Sequence, residues 1–171
     1  MFIAPTSSFV RPADTTQYSA GDLIANSTTA GSVVPLSFNV ERLHGSGIIR
    51  RVLIHKTNAT VTAAIFNLHL YHRAPTVTNG DNGAFAVDTT AYWIGTVACD
   101  MTSSSEVVTS VSSAQGYVIS TGYGFDCPVS GLASSTFQAP LALYALISAG
   151  TSGTYTPVSA EVFKVTLEIE G

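Results

Sequence analysis

Val61-Thr62-Ala63-Ala64-Ile65-Phe66-Asn67-Leu68-His69-Leu70-Tyr71-His72 is the longest clean alternation in the chain. Ala64, Phe66, Leu68 and Leu70 fall on one side, and Ile65, Asn67, His69 and Tyr71 on the other. Successive side chains of an extended strand point to opposite faces, so a period of two is what a half-buried strand requires. No segment of a dozen residues carries an i, i+3, i+4 apolar stripe with capping residues at its ends, so helix is minor at most.

Working outward, Val34, Leu36, Phe38 and Val40 alternate with Pro35, Ser37, Asn39 and Glu41. Pro35 lacks an N–H and belongs near the start of its strand or on an edge. After a turn at Gly45-Ser46-Gly47, the segment from Ile48 to Lys56 carries Ile49 and Leu53 on one face and Ile48, Val52 and Ile54 on the other. Both faces being apolar, it reads as a central strand. Thr57-Asn58-Ala59-Thr60 then supplies a hairpin-length connection.

Pro75 and the cluster Thr78-Asn79-Gly80-Asp81-Asn82-Gly83 make 74–88 a long surface loop. A strand from Ala91 to Ala98 carries the sole tryptophan, Trp93. Short strands follow at Glu106–Val111 and Gly116–Thr121, with a further segment at Phe125–Val129 and loops at Met101–Ser105 and Ser130–Ser135. Leu141, Leu143, Ala145 and Ile147, then Phe163, Val165, Leu167 and Ile169, alternate as a closing β-hairpin. The expectation is an all-β fold: an antiparallel β-sandwich of about eight or nine strands with Greek-key or jelly-roll connections. Residues 1–31 are expected to be an irregular N-terminal arm with one short strand around 18–25, and residues 32–171 a single β-sandwich domain.

Only 11% of the 171 residues are charged, against roughly 25% in an ordinary soluble domain. Uncharged Ser, Thr, Asn and Gly can cover such a surface, or other subunits can, and both are expected here. A net charge of −4 gives no electrostatic footprint for nucleic acid. Arg50-Arg51 is the only adjacent basic pair, and on a regular strand its side chains would diverge. No apolar run approaches the roughly 20 residues that cross a bilayer, so no membrane association is expected. The start has no basic n-region or sustained apolar stretch, so folding in the cytoplasm where the chain is made is expected. Cys99 and Cys127 would there stay thiols. Asn26-Ser27-Thr28 and Asn58-Ala59-Thr60 match the glycosylation pattern, and without export they are turn residues.

No catalytic, cofactor or metal motif emerges. His69 and His72 are spaced to oppose one another on a strand, and His44 and His55 have no sequence-local carboxylate or thiol partner. Gly150-Thr151-Ser152-Gly153 is one residue short of a nucleophile elbow and sits in a turn. Asp81-Asn82-Gly83 lacks the ligand spacing and closing Glu of a calcium loop. Asp81, Asp88, Asp100 and Asp126 sit at loops or strand ends, where turn chemistry favours Asp. Eleven acids leave a facing pair for glycosidase chemistry open. Tyr71, Tyr92, Trp93, Tyr117, Tyr123, Tyr144 and Tyr155 could stack on sugars, but core or interface packing is the favoured use.

Several segments together resemble the small virion proteins of tailed bacteriophages. They are Tyr18-Ser19-Ala20-Gly21-Asp22-Leu23-Ile24-Ala25, Gly47-Ile48-Ile49-Arg50, Phe66-Asn67-Leu68-His69-Leu70-Tyr71 leading to Pro75, and Asp81-Asn82-Gly83-Ala84-Phe85. Gly153-Thr154-Tyr155-Thr156-Pro157 and Phe163-Lys164-Val165-Thr166-Leu167 complete the set. The resemblance implies a β-sandwich or jelly-roll cement (decoration) protein on the outer surface of the virion capsid. Its partner would be the major capsid protein, whose neighbouring subunits it ties together. It further suggests a homo-oligomer, a trimer before a dimer, with no enzymatic activity and no cofactor. The alternatives are a tail, neck or fibre protein and a carbohydrate-binding module. Residues 2–17 are the candidate for a segment ordered only by neighbours. The candidate assembly contacts are Phe2, Ile3, Phe9, Ile65, Tyr71, Leu146 and Val162, the last four on the apolar or outward faces that alternation leaves without a partner.

Overall fold

The computed structural model describes residues 1–43, 46–88, 92–102, 107–126, 142–150 and 153–171, without the side chains of 42, 46, 107 and 116–126. Its eleven strands are β1 (Phe2–Ile3), β2 (Thr6–Val10), β3 (Leu23–Ile24), β4 (Leu36–Asn39), β5 (Ser46–Lys56), β6 (Ile65–Tyr71), β7 (Trp93–Asp100), β8 (Val107–Thr109), β9 (Ala114–Asp126), β10 (Ala142–Ala149) and β11 (Val162–Glu170). They form two antiparallel sheets. The first runs β1-β11-β5-β9-β8 with β2 also on β11, and the second runs β3-β10-β6-β7 with β4 also on β10. The all-β sandwich expected from the periodicity is the observed architecture. The strand number exceeds the expected eight or nine because β1, β2 and β3 are short N-terminal strands within the segment read as an arm.

Alternation decides which residues meet between the sheets. Phe66, Leu68 and Leu70 of β6 and Leu143, Ala145 and Ile147 of β10 face Val52 and Ile54 of β5 and Phe163, Val165, Leu167 and Ile169 of β11 in one core cluster. Phe66 stands edge-on to Phe163, with ring centroids 5.2 Å apart, and Phe9 of β2 stacks on Phe163 at 5.7 Å. Cys99 is buried in this core; Cys127 and His44 lie outside the described residues.

Five expectations give way to the structure. The closing hairpin does not form: β10 lies in the second sheet and β11 in the first, so the chain changes sheets between Ala149 and Val162. The connection after Lys56 crosses likewise from β5 to β6 and makes no hairpin. Alternation specifies which face of a strand is buried, and it is silent on which strand lies beside it.

On β5, a register shift between Ile49 and Arg51 changes the inward phase from Ile49 to Val52 and Ile54. An extra residue of this kind kinks a strand and re-aims its side chains. Arg50 and Arg51 therefore do not diverge: they pair with Glu170 and Glu168, which share one face of β11.

The N-terminal segment is only partly irregular. β1 and β2 are laid antiparallel along β11, from Phe2 opposite Glu170 to Val10 opposite Val162. The segment ordered here within a single chain is the one expected to need neighbours.

Finally, 74–88 is a strap rather than a free surface loop. Val77, Phe85 and Val87 pack over Leu23, Tyr71 and Leu146 in a second apolar cluster on the outer face of the second sheet. Backbone bonds fix it: Leu23 N–H donates to Gly83 O, Asn82 N–H to Leu23 O and Phe85 N–H to Gly21 O, each at 2.8 Å. Gly80 sits so close to the chain that a Cβ there would lie 2.0 Å from Thr28 O, a backbone approach only glycine permits.

The packing of β2 predicts that deleting residues 1–10 destabilises the isolated protein. Phe9 is partly buried against Phe163 and contributes a share of the roughly 1.5–3 kcal/mol that full burial of such a side chain is worth, so a lowered urea midpoint is expected, and an unchanged one would mean that β2 is not docked.

Candidate functional site

Two regions gather the polar and aromatic side chains that could carry function. The first is buried at the end of the sandwich where β2 and β5 finish and β11 begins. Arg11, directly after β2, is 2% exposed. Its Nε donates to Tyr18 Oη, its Nη1 to the carbonyls of Asp14 and Val158, and its Nη2 to the carboxylates of Asp14 and Asp81. These acceptors match the five N–H donors of a guanidinium. Tyr18 Oη donates to Asp81 Oδ1 at 2.6 Å, and the Ala25 amide donates to the same oxygen at 2.7 Å.

A second set lies alongside. Tyr155 donates to Glu161 Oε1 at 2.6 Å and accepts from Asn58 Nδ2 at 3.3 Å. Lys56 Nζ donates to the carbonyls of Asn58 and Thr60, both at 2.5 Å, and lies 3.8 Å from Glu161 Oε1. Burial pushes Lys56 down to about 8 and pushes Glu161 up, the Tyr155 hydrogen bond and the Lys56 charge opposing the latter. Burial also raises both tyrosines. Stacked rings of Tyr18 and Tyr155, 6.3 Å apart, and the bond from Tyr18 N–H to Tyr155 O join the two sets.

Catalysis needs a reacting group that substrate can reach. Arg11, Tyr18, Lys56, Tyr155 and Glu161 are closed off and engaged with one another. They hold the lead-in, the strap and the crossover to the sandwich end. Asp81 sits in a turn as its setting suggested, but nothing local in Asp81-Asn82-Gly83 marks an ion partner that lies 70 residues away.

The second region is the outer face of the second sheet. His69 is half-buried there, stacked on Phe85 with centroids 4.1 Å apart. Its Nδ1 meets Thr96 Oγ1 at 2.8 Å and its Nε2 meets Ser148 Oγ at 2.9 Å. Burial pushes His69 down to about 4, so the ring is neutral near neutrality. His72 lies past the strand end against Tyr92 and does not face His69. Among the described residues no group of three or more His, Cys, Asp and Glu is placed to hold a metal.

The seven candidate contacts divide. Tyr71 and Leu146 do project from the outer face, but the strap covers them, so they are not free for an assembly. Phe9 stacks on Phe163, Ile3 packs partly against the core, and Ile65 presses on Gly150. Val162 is half-buried beside Val10, and Phe2 is 60% exposed. Alternation missed other exposed apolar positions: Met1, Val10, Val34, Val108, Val111, Val158 and, at 52%, Trp93. The tyrosines do not form one sugar platform, since Tyr71 and Tyr155 are buried; the side chains of Tyr117 and Tyr123 lie outside the described residues.

No protein-family model, curated protein or solved structure matches the chain.

Breaking a buried ion pair by removing one partner costs about 3–5 kcal/mol. Arg11→Met is therefore expected to lower stability by that order in a urea titration, and a change below about 1 kcal/mol would show that the pair is not buried. His69 generates a pH dependence of definite sign. The unfolded chain takes up its proton near the ordinary value of 6.5 and the folded chain only near 4, so the unfolded state binds more protons between them and stability falls as pH falls. Urea midpoints from pH 7.5 to 4.5 should decline less steeply in His69→Gln than in the native chain; equal slopes would contradict the assignment.

Proposed function

We propose that this protein is a non-enzymatic structural component of a tailed-phage particle that binds the outside of the icosahedral head and ties neighbouring major-capsid subunits together. The observation that carries the reading is the set of exposed apolar side chains on a charge-poor chain. Met1, Phe2, Val10, Val34, Trp93, Val108 and Val158 are each at least 40% exposed, while only 11% of residues are charged. Scattered surface apolar residues are ordinary; this many large ones on so few charges favour burial against partners. The resemblance of the quoted segments to small virion proteins supplies the kind of partner.

The same observation supports self-association, with Phe2, Val10 and Val162 on the outer face of the first sheet as the self-contact, in a homo-oligomer and a trimer before a dimer. A place in a tail, neck or fibre would use the same surfaces and is separated by the experiment below. The closed state of the ionisable clusters supports a binding role over a catalytic one.

Purified protein added to heads prepared without it is expected to co-sediment with them and to raise the temperature at which they release DNA. Heads that neither bind it nor gain heat resistance would contradict the proposal.

A further inference from the structure

Tyr144, Tyr71 and Trp93 are successive partners across β10, β6 and β7. The strap covers Tyr71 and packs against Tyr144, and Trp93 stays half exposed. Trp93 thus continues a covered apolar row into solvent. Its chain neighbour Tyr92 holds Arg73, whose guanidinium lies 4.6 Å over the Tyr92 ring and donates from Nη1 to Tyr92 Oη at 2.9 Å. Tyr92 is itself steadied by His72, whose N–H donates to the Tyr92 carbonyl at 3.0 Å and whose ring stands edge-on at 5.4 Å.

Arg73 is exposed and held in one orientation, yet among the described residues it has no carboxylate partner, whereas Arg11, Arg50, Arg51 and Lys56 each have one. Its Nε and Nη2 edge makes no hydrogen bond among those residues. That edge is the fork that receives both oxygens of a carboxylate. Trp, Tyr and Arg are also the side chains that dominate the energetics of protein interfaces.

We propose that the Arg73–Tyr92–Trp93 corner is the contact through which the protein grips an acidic loop of the shell protein. One carboxylate of that loop seats on the Arg73 fork, and an adjoining apolar side chain covers Trp93. This rests on the assembly reading above and names the surface and the partner chemistry it uses.

The test is co-sedimentation with heads prepared without the protein, comparing the native chain with Trp93→Ala, Arg73→Gln and Arg73→Lys. Thermal midpoints of the free proteins serve as the control for folding. Each variant is expected to bind at least about tenfold more weakly with its midpoint unchanged, and Arg73→Lys, which keeps the charge and loses the fork, to fall with Arg73→Gln. Native-like binding by both Arg73 variants, when the native chain binds, would overturn this contact and leave the assembly reading standing. Absence of binding by the native chain would overturn both. Retention on an acidic polysaccharide that Trp93→Ala abolishes, with head binding untouched, would overturn it in favour of a glycan site.

Discussion

The structure depends on charges placed where water cannot reach them. Arg11, Asp81, Lys56 and Glu161 lie at one end of the sandwich, and an isolated ion in such a place would cost several kcal/mol. The cost is tolerable only when every donor and acceptor is answered, so the pieces of chain that supply the answers cannot move independently. Arg11 brings the end of β2, Tyr18 the lead-in, Asp81 the strap, and Glu161 the crossover into β11. A chain with few charges uses several of them internally, as fasteners between segments far apart in sequence.

Those fasteners shape what is left for function. The strap they hold buries Tyr71 and Leu146 and neutralises an otherwise open apolar sheet face. The β2 segment they anchor covers the edge of β11, where unpaired backbone groups would invite uncontrolled pairing. Among the apolar side chains left outside are Phe2 and Val10 on the first sheet and Trp93 on the second. These exposed apolar and aromatic points on a charge-poor chain are the surface that the proposed attachment would use.

The sequence carried the fold class because β11 and most of β6 alternate, and there alternation maps onto burial. Neighbour relations were not legible: β10 and β11 look like a hairpin in sequence and belong to different sheets. The phase of β5 was obscured by its bulge at Arg50, which no periodicity anticipates. Of the surface, the outward projection of Tyr71 and Leu146 was correct, but their cover came from a Gly- and Asn-rich segment whose apolar members, Val77, Phe85 and Val87, are too scattered to show a period. The buried ion network was invisible because Arg11, Lys56, Asp81 and Glu161 meet only after folding. Trp93 stands out in the sequence as an aromatic, and its exposure is not legible from alternation.

Hydrogen exchange on the isolated protein addresses the fastening most directly. The amides of Ala25, bound to the Asp81 carboxylate, and of Phe85, bound to Gly21 O, report on the lead-in and the strap. If the buried ion network locks these segments, both amides exchange nearly as slowly as those of core strand β6, and both speed up together in Asp81→Asn. Fast exchange at Ala25 and Phe85 in the native chain, with β6 protected, would mean that the segments open independently of the sandwich and that the network does not fasten them.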